Sequence, residues 1–87
     1  MKLNWQTIVR KMYAEVYNYE LKLNVFYQDR FYSSGKAFGY PICIEMTDLQ
    51  GAVMERHVLG YAYYTETCTA LVQVVEQFIT DLNRGHS

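Results

Sequence analysis

The fold is decided by residues 40–64, which read YPICIEMTDLQGAVMERHVLGYAYY. Two largely apolar, β-branched and aromatic runs are separated there by a polar turn at Asp48-Leu49-Gln50-Gly51. Aspartate commonly opens a type I turn, and glycine readily takes the left-handed position of the bulge that follows it. The stretch therefore predicts a β-hairpin with strands at 40–47 and 52–64.

A pairing of Asp48 with Ala52 sets the predicted register of this hairpin. It places these residues opposite one another: Met46 and Met54, Ile44 and Arg56, Ile42 and Val58, Cys43 and His57, Glu45 and Glu55, Thr47 and Val53. One face is then apolar except for Arg56. A two-residue loop would shift the register by one and place His57 beside Ile42, which would mix polar and apolar residues on both faces.

Two segments outside the hairpin have apolar residues at the three-and-four spacing of amphipathic helices. The first covers residues 4–18, with Asn4 as the expected N-cap and Leu3 positioned to pack against Ile8. The second covers about 67–83. Thr65 or Thr67 is its expected N-cap, and Gly85 is expected to end it.

Between the first helix and the hairpin, residues 19–28 alternate with a period of two, which predicts a half-buried strand. Its expected core-facing side chains are Tyr19, Leu21, Leu23, Val25 and Tyr27, and Tyr40 is expected to face the core from the next strand. Residues 29–39 contain Ser33-Ser34-Gly35 and predict a long, mobile loop.

These elements predict a single α+β domain over residues 1–87 in the order α-β-β-β-α. An antiparallel three-stranded sheet has both helices on one face, because each helix has one apolar stripe and the sheet has one apolar face. The core is expected at about 4–83, with 84–87 frayed. The other face of the sheet is left to solvent or to a partner.

The chain has 87 residues, of which 51% are apolar and 16% aromatic, and this suffices for one compact core. A domain of this size buries a small share of its surface, so a homodimer is a plausible way to bury more. The net charge of -1 gives no long-range attraction to nucleic acid or to anionic lipid. We therefore expect a protein partner or a second copy, with nucleic acid and membrane disfavoured.

The two cysteines, Cys43 and Cys68, fall on different predicted elements without CxxC spacing, so we expect reduced thiols rather than a disulfide. The first residues lead into an amphipathic helix with no apolar leader, and no apolar run approaches membrane-spanning length. We expect a cytoplasmic protein.

The order of one helix, three antiparallel strands and a second helix resembles the double-stranded-RNA-binding domain. That family grips phosphates largely through lysines at the start of its second helix. The matching stretch here, Tyr64-Thr65-Glu66-Thr67-Cys68-Thr69, has no basic residue and one acid. The resemblance implies a fold and, as an alternative function, nucleic-acid binding without the basic cluster; it assigns no functional residue.

The chemistry-bearing residues give weak signals. Cys43 and His57 could be cross-strand neighbours, but a nucleophile pair also needs a pocket and an oxyanion donor. A metal site would have to add Cys68 and His86. The predicted pair of Glu45 with Glu55 is typical of a solvated strand face. We therefore expect no enzyme, no catalytic residue, no metal and no cofactor.

Nine tyrosines are the unusual feature of the composition. Tyrosine joins a large apolar ring to a polar tip, which suits surfaces that become buried on binding. The sequence therefore predicts a small protein-binding module, a regulator, adaptor or inhibitor of a kind that phages and mobile elements also encode. Its expected partner-binding residues are Phe26, Phe31, Tyr32, Phe38, Tyr61 and Tyr63.

Overall fold

The computed structural model describes residues 4–86. Along the chain the elements are α1 (Trp5–Asn18), β1 (Lys22–Tyr27), β2 (Tyr32–Ser34), β3 (Ala37–Thr47), β4 (Val53–Ala62) and α2 (Thr65–His86). The strands form an antiparallel sheet, and both helices pack against it. The predicted α+β class is confirmed, with four strands in place of three.

The additional strand, β2, lies in the segment that the sequence predicts as a mobile loop. Its residues pair with 37–39 at the start of β3, so residues 32–39 form a second hairpin. The turn holds two residues, Gly35 and Lys36, and Gly35 has a φ of 58°. Because Lys36 has a negative φ, this is the geometry of a type II′ turn, which places glycine first. Ser34-Gly35-Lys36-Ala37 is thus a tight turn between two strands rather than part of a long loop.

Strand β3 pairs with each of the other three strands. β1 pairs with residues 42–47 of β3, and the pairing ends next to Pro41. The Pro41 carbonyl accepts a hydrogen bond from the Gln28 N–H at 2.9 Å, but proline has no N–H to donate in return. The ladder loses a hydrogen bond at this pair, and β1 and β2 are separated at the same point.

The turn between β3 and β4 has the predicted form. The Asp48 carbonyl accepts the Gly51 N–H at 3.1 Å, and its carboxylate accepts the N–H groups of Gln50 and Ala52 at 3.0 and 2.8 Å. Gly51 has a φ of 95°. Thr47 pairs with Val53, as predicted. The aspartate therefore fixes the turn through both its backbone and its side chain.

Beyond Thr47 the predicted register is wrong, because β4 has irregularities that place Met54 and Leu59 as extra residues. The observed pairs are Met46 with Glu55, Glu45 with Arg56, Ile44 with His57, Cys43 with Val58 and Ile42 with Gly60. Each bulge shifts the pairing by one residue. The first bulge removes the two unfavourable features of the predicted register, since Arg56 no longer opposes Ile44 and Glu45 no longer opposes Glu55.

Helix α1 begins as predicted. The Asn4 side chain accepts hydrogen bonds from the N–H groups of Gln6 and Thr7 at 3.1 and 3.4 Å. The predicted contact of Leu3 lies outside the described residues.

Helix α2 is longer than predicted at both ends. The Tyr64 carbonyl accepts the Cys68 N–H at 3.1 Å, so Tyr64 rather than a threonine takes the N-cap position. The helix also continues through Gly85 to His86. Glycine weakens a helix without necessarily ending it.

The core lies between the helices and one face of the sheet. Val9 and Met12 of α1 and Val75 of α2 share one buried cluster with Ile44 and Met46 of β3. Because Ile44 and Met46 are alternate residues, both helices cover the same face of the sheet. A second cluster joins Ile42, Ala62 and Cys68.

The predicted inward side chains of β1 are confirmed with one exception. Leu21, Leu23, Val25, Tyr27 and Tyr40 pack against the two buried clusters. Tyr19 does not, because it lies at the C-cap of α1 and is 67% exposed. Among the described residues, no helix combines the length and apolarity that crossing a membrane requires.

Candidate functional site

The pairing of β2 with the start of β3 brings aromatic residues of three elements to one end of the sheet. Tyr32 pairs with Gly39, Phe38 pairs with Ser33, and Tyr61 of β4 pairs with Pro41. We call this surface the aromatic end and define it by Phe31, Tyr32, Phe38, Tyr61 and Tyr63. These five side chains are between 39% and 62% exposed.

Four of the five rings of the aromatic end meet in two pairs. The Phe31 ring meets the Tyr63 ring at 5.5 Å between centroids and at 81°, an edge-to-face arrangement. The Tyr32 and Tyr61 rings lie 5.7 Å apart at 24° and are stacked. Such contacts hold each ring in one orientation while leaving part of it open to solvent. Phe31, Tyr32, Tyr61 and Tyr63 are therefore each restrained by a neighbouring ring.

Two further tyrosines, which the sequence does not assign to the aromatic end, also contact its rings. Tyr40 meets Phe31 edge to face at 5.5 Å, although it also packs against the second buried cluster. Tyr64 contacts Tyr63 at 5.7 Å. Tyr64 directly follows a predicted site residue, so its position was a usable signal. The alternation of apolar and polar residues predicts Tyr40 as a core residue only. Its additional contact with Phe31 could therefore not be predicted.

Phe26, the sixth predicted residue, lies apart from the aromatic end. It pairs with Cys43 on the sheet face away from the helices. The Arg56 guanidinium lies over its ring, 5.6 Å from the centroid, and donates to Glu45 at 2.8 and 3.1 Å. The phenyl ring is therefore partly covered by a cation that is itself held by a carboxylate.

The structure separates the residue pairs that the sequence offered for catalysis. Cys43 lies on the face away from the helices, whereas His57 opposes Ile44 on the helix-facing side. The predicted proximity of Cys43 and His57 is therefore wrong, as is the pairing of Glu45 with Glu55. His57 instead contacts Glu55, two residues away on the same strand, at 2.8 Å.

Both cysteines carry free, buried thiols. Burial raises the pKa of the Cys43 thiol, and the nearby Arg56 offsets part of that rise. Burial also raises the pKa of the Cys68 thiol, which lies in the second buried cluster. Both thiols are therefore protonated and poorly nucleophilic at neutral pH. Across residues 4–86, no group of three histidine, cysteine or acidic side chains is arranged to hold a metal ion.

Compared with known proteins, the chain matches no family model, no curated protein and no solved structure.

Proposed function

We propose that this chain is a small non-enzymatic protein-binding module, a regulator, adaptor or inhibitor of the kind that phages and mobile elements also encode. The observation that carries the proposal is the aromatic end, five exposed aromatic side chains at one end of the sheet, of which Phe31 contacts Tyr63 and Tyr32 stacks on Tyr61. We place the module in the cytoplasm, where its two free thiols would remain reduced.

Exposed tyrosine and phenylalanine favour binding for a physical reason. Each ring buries a large apolar area on contact, and aromatic residues are enriched at the centres of protein interfaces. A ring already held by its neighbours loses little side-chain entropy when a partner covers it. The edge-to-face and stacked contacts of Phe31, Tyr32, Tyr61 and Tyr63 supply that restraint.

The charges around the aromatic end favour a protein over a nucleic acid. The neighbouring basic residues in the sequence are Arg30 and Lys36, and the first turn of α2 carries the acid Glu66. Nucleic-acid affinity depends mainly on neutralising many phosphates, and two cations supply little of that term. Nucleic-acid binding therefore remains the alternative proposal.

The proposal is tested by placing a charge on the aromatic end. Tyr63→Glu and Tyr32→Glu should each abolish partner capture, because a carboxylate cannot be buried against an apolar partner surface without a large desolvation cost. Immobilised wild type and variants are incubated with lysate of the native host, and retained proteins are quantified by mass spectrometry. Far-UV circular dichroism verifies that the variants are folded.

Tyr19→Glu is the matched control. Tyr19 is 67% exposed and lies just before β1, at the end of the sheet opposite the aromatic end. The first residue of β1 pairs with Thr47, which is about 30 Å along β3 from Phe38 at 3.3 Å per residue. A protein retained by wild type and Tyr19→Glu but lost from both aromatic-end variants supports the proposal. Retention by all four proteins would contradict it. Salt-sensitive binding of duplex RNA in the same series would favour the alternative.

A further inference from the structure

Strand β1 is an edge of the sheet whose pairing with β3 is regular. Its six pairs, from Lys22 with Thr47 to Tyr27 with Ile42, keep one register without a bulge. Strand β4, on the other side of β3, has two irregularities, and bulges of this kind protect an edge against a further strand. β1 has no proline and one charged residue, Lys22, at its first position. Of these two edges, β1 is therefore the one suited to accept another strand.

The backbone groups of β1 divide between β3 and the free edge. The Gln28 N–H donates to the Pro41 carbonyl at 2.9 Å, in continuation of the β1–β3 register. In an antiparallel ladder such hydrogen-bonded positions recur at every second residue, and the residues between them direct their N–H and C=O away from the partner strand. Leu23 and Val25 are two of these intervening residues. Within residues 4–86, no hydrogen bond reaches their outward backbone groups.

A groove runs beside these unpaired groups, between β1 and α2. Two open clefts share Leu23, Asn24 and Ile79, so together they form one groove along the strand, and Val25 lines its second half. We call it the β1–α2 groove. Because Leu23 and Val25 pack on the helix side of the sheet, a strand added at this edge would direct every second side chain toward Ile79. Those side chains should therefore be apolar.

One charged residue lies in each half of the groove. Lys22 lines the first cleft and Glu76 of α2 lines the second. Both side chains are exposed, and within residues 4–86 neither belongs to an ion pair. The second cleft reaches Val25, which is about 10 Å along β1 from Lys22 at about 3.3 Å per residue. A segment that carries an acid and a base about three positions apart is complementary to these charges.

We propose that the β1–α2 groove binds an extended segment of a partner protein, which joins the sheet as a strand beside β1. The outward N–H and C=O groups of Leu23 and Val25 form hydrogen bonds with its backbone. Its alternate apolar side chains contact Ile79, and an acid near Lys22 and a base near Glu76 set its direction. No residue that defines the aromatic end lines this groove, so it is a second binding surface.

The test uses peptides selected from a phage-displayed library of random dodecapeptides on the immobilised wild-type chain. Enriched peptides are synthesised and titrated by fluorescence anisotropy. A peptide that occupies the groove should bind Val25→Pro at least about tenfold more weakly than wild type, because proline removes an outward N–H and leaves the hydrogen bonds to β3 in place. Val25→Ala, which shortens the side chain but keeps the N–H, is the matched control and should lose much less affinity. Tyr63→Glu, an aromatic-end variant, should bind as wild type does.

Two measurements on the wild-type chain decide the question if Val25→Pro does not fold. Methylation of every second backbone nitrogen of the peptide should abolish binding in one register and preserve it in the other, because only alternate N–H groups of an added strand face β1. In hydrogen exchange, the amides of Leu23 and Val25 should exchange more slowly when the peptide is bound.

The charges are tested by reversal. Glu76→Lys should weaken a peptide with a base at the matching position by about threefold or more, and replacing that base with glutamate should restore the affinity.

The proposal is overturned if no enriched peptide distinguishes Val25→Pro from Val25→Ala, or if both methylated registers bind alike. It is also overturned if every enriched peptide is lost from Tyr63→Glu, because the peptides would then bind the aromatic end. A wild type that is dimeric in sedimentation equilibrium and monomeric as Val25→Pro would equally overturn it, since a second copy would then occupy the edge.

Discussion

Gly39 occupies a position that no other residue type can fill without moving the backbone around it. Its φ is 114°, and a Cβ atom built there would lie 2.5 Å from the Ala62 carbonyl oxygen and 2.8 Å from its carbonyl carbon. Backbone atoms cannot rotate aside as a side chain can. The close approach of β3 and the end of β4, which positions Tyr32 beside Tyr61, therefore depends on the absence of a side chain.

Gly39→Ala should lower the free energy of unfolding by at least about 2 kcal/mol, from backbone strain and steric overlap together. Urea denaturation followed by circular dichroism measures the change. Gly85→Ala is the control, because a Cβ there meets nothing within 4 Å and alanine favours a helix. Equal losses in the two variants would contradict the role assigned to Gly39.

At this scale the sequence identifies residue types but not their neighbours. The excess of tyrosine predicts a surface, and five of the six predicted aromatic residues lie at one end of the sheet. The requirement at Gly39 is set by Ala62, twenty-three residues away, so nothing local to Gly39 reveals it. Phe31 likewise meets Tyr40 and Tyr63, which lie on other elements of the chain, and this is why the cluster itself could not be predicted.

The elements whose ends are fixed by local hydrogen bonds were the ones predicted well. The start of α1 and the turn at Asp48 each depend on one side chain and the next few N–H groups. The β4 bulges depend on packing across strands instead. Leu59 is an extra residue that reaches both buried clusters, and a regular alternation gives no sign of it. The predicted register already fails at the other bulge, where Met54 is the extra residue after the pair of Thr47 with Val53.

Asn4→Ala should destabilise the protein by about 1 kcal/mol, because the N–H groups of Gln6 and Thr7 lose their acceptor. The first turn of α1 contains no acidic residue that could compensate. Asn4→Ser keeps a capping oxygen and should retain most of the stability. Urea midpoints of the three proteins provide the comparison, and indistinguishable midpoints would show that the cap contributes nothing.

For the molecule as a whole, the two thiols lie on opposite faces of the sheet, so each one reports on the burial of one face. Cys43 is 1% exposed between Phe26 and Val58, on the face away from the helices. Cys68 is fully buried on the helix side. A sheet face without a helix on it can therefore still exclude solvent, because side chains of the flanking strands close over the central one.

Both thiols should react with a disulfide reagent only when the molecule unfolds, at least about a thousandfold more slowly than in the denatured chain. Labelling of the single-cysteine variants Cys43→Ala and Cys68→Ala at neutral pH measures each thiol separately, with labelling in denaturant as the reference. If the thiol of Cys43 reacts almost as fast in the native protein as in the reference, the outer face opens without global unfolding, contrary to this expectation.

The position of α2 after the sheet in the sequence has a consequence for synthesis on the ribosome. Both hairpins of β3 are local and can form as soon as β4 has left the exit tunnel, but Val75 and the other core residues of α2 are then still to come. Until they emerge, α1 alone shields the apolar side of Ile44 and Met46 in the nascent chain. That interval is when chaperones would bind the nascent chain.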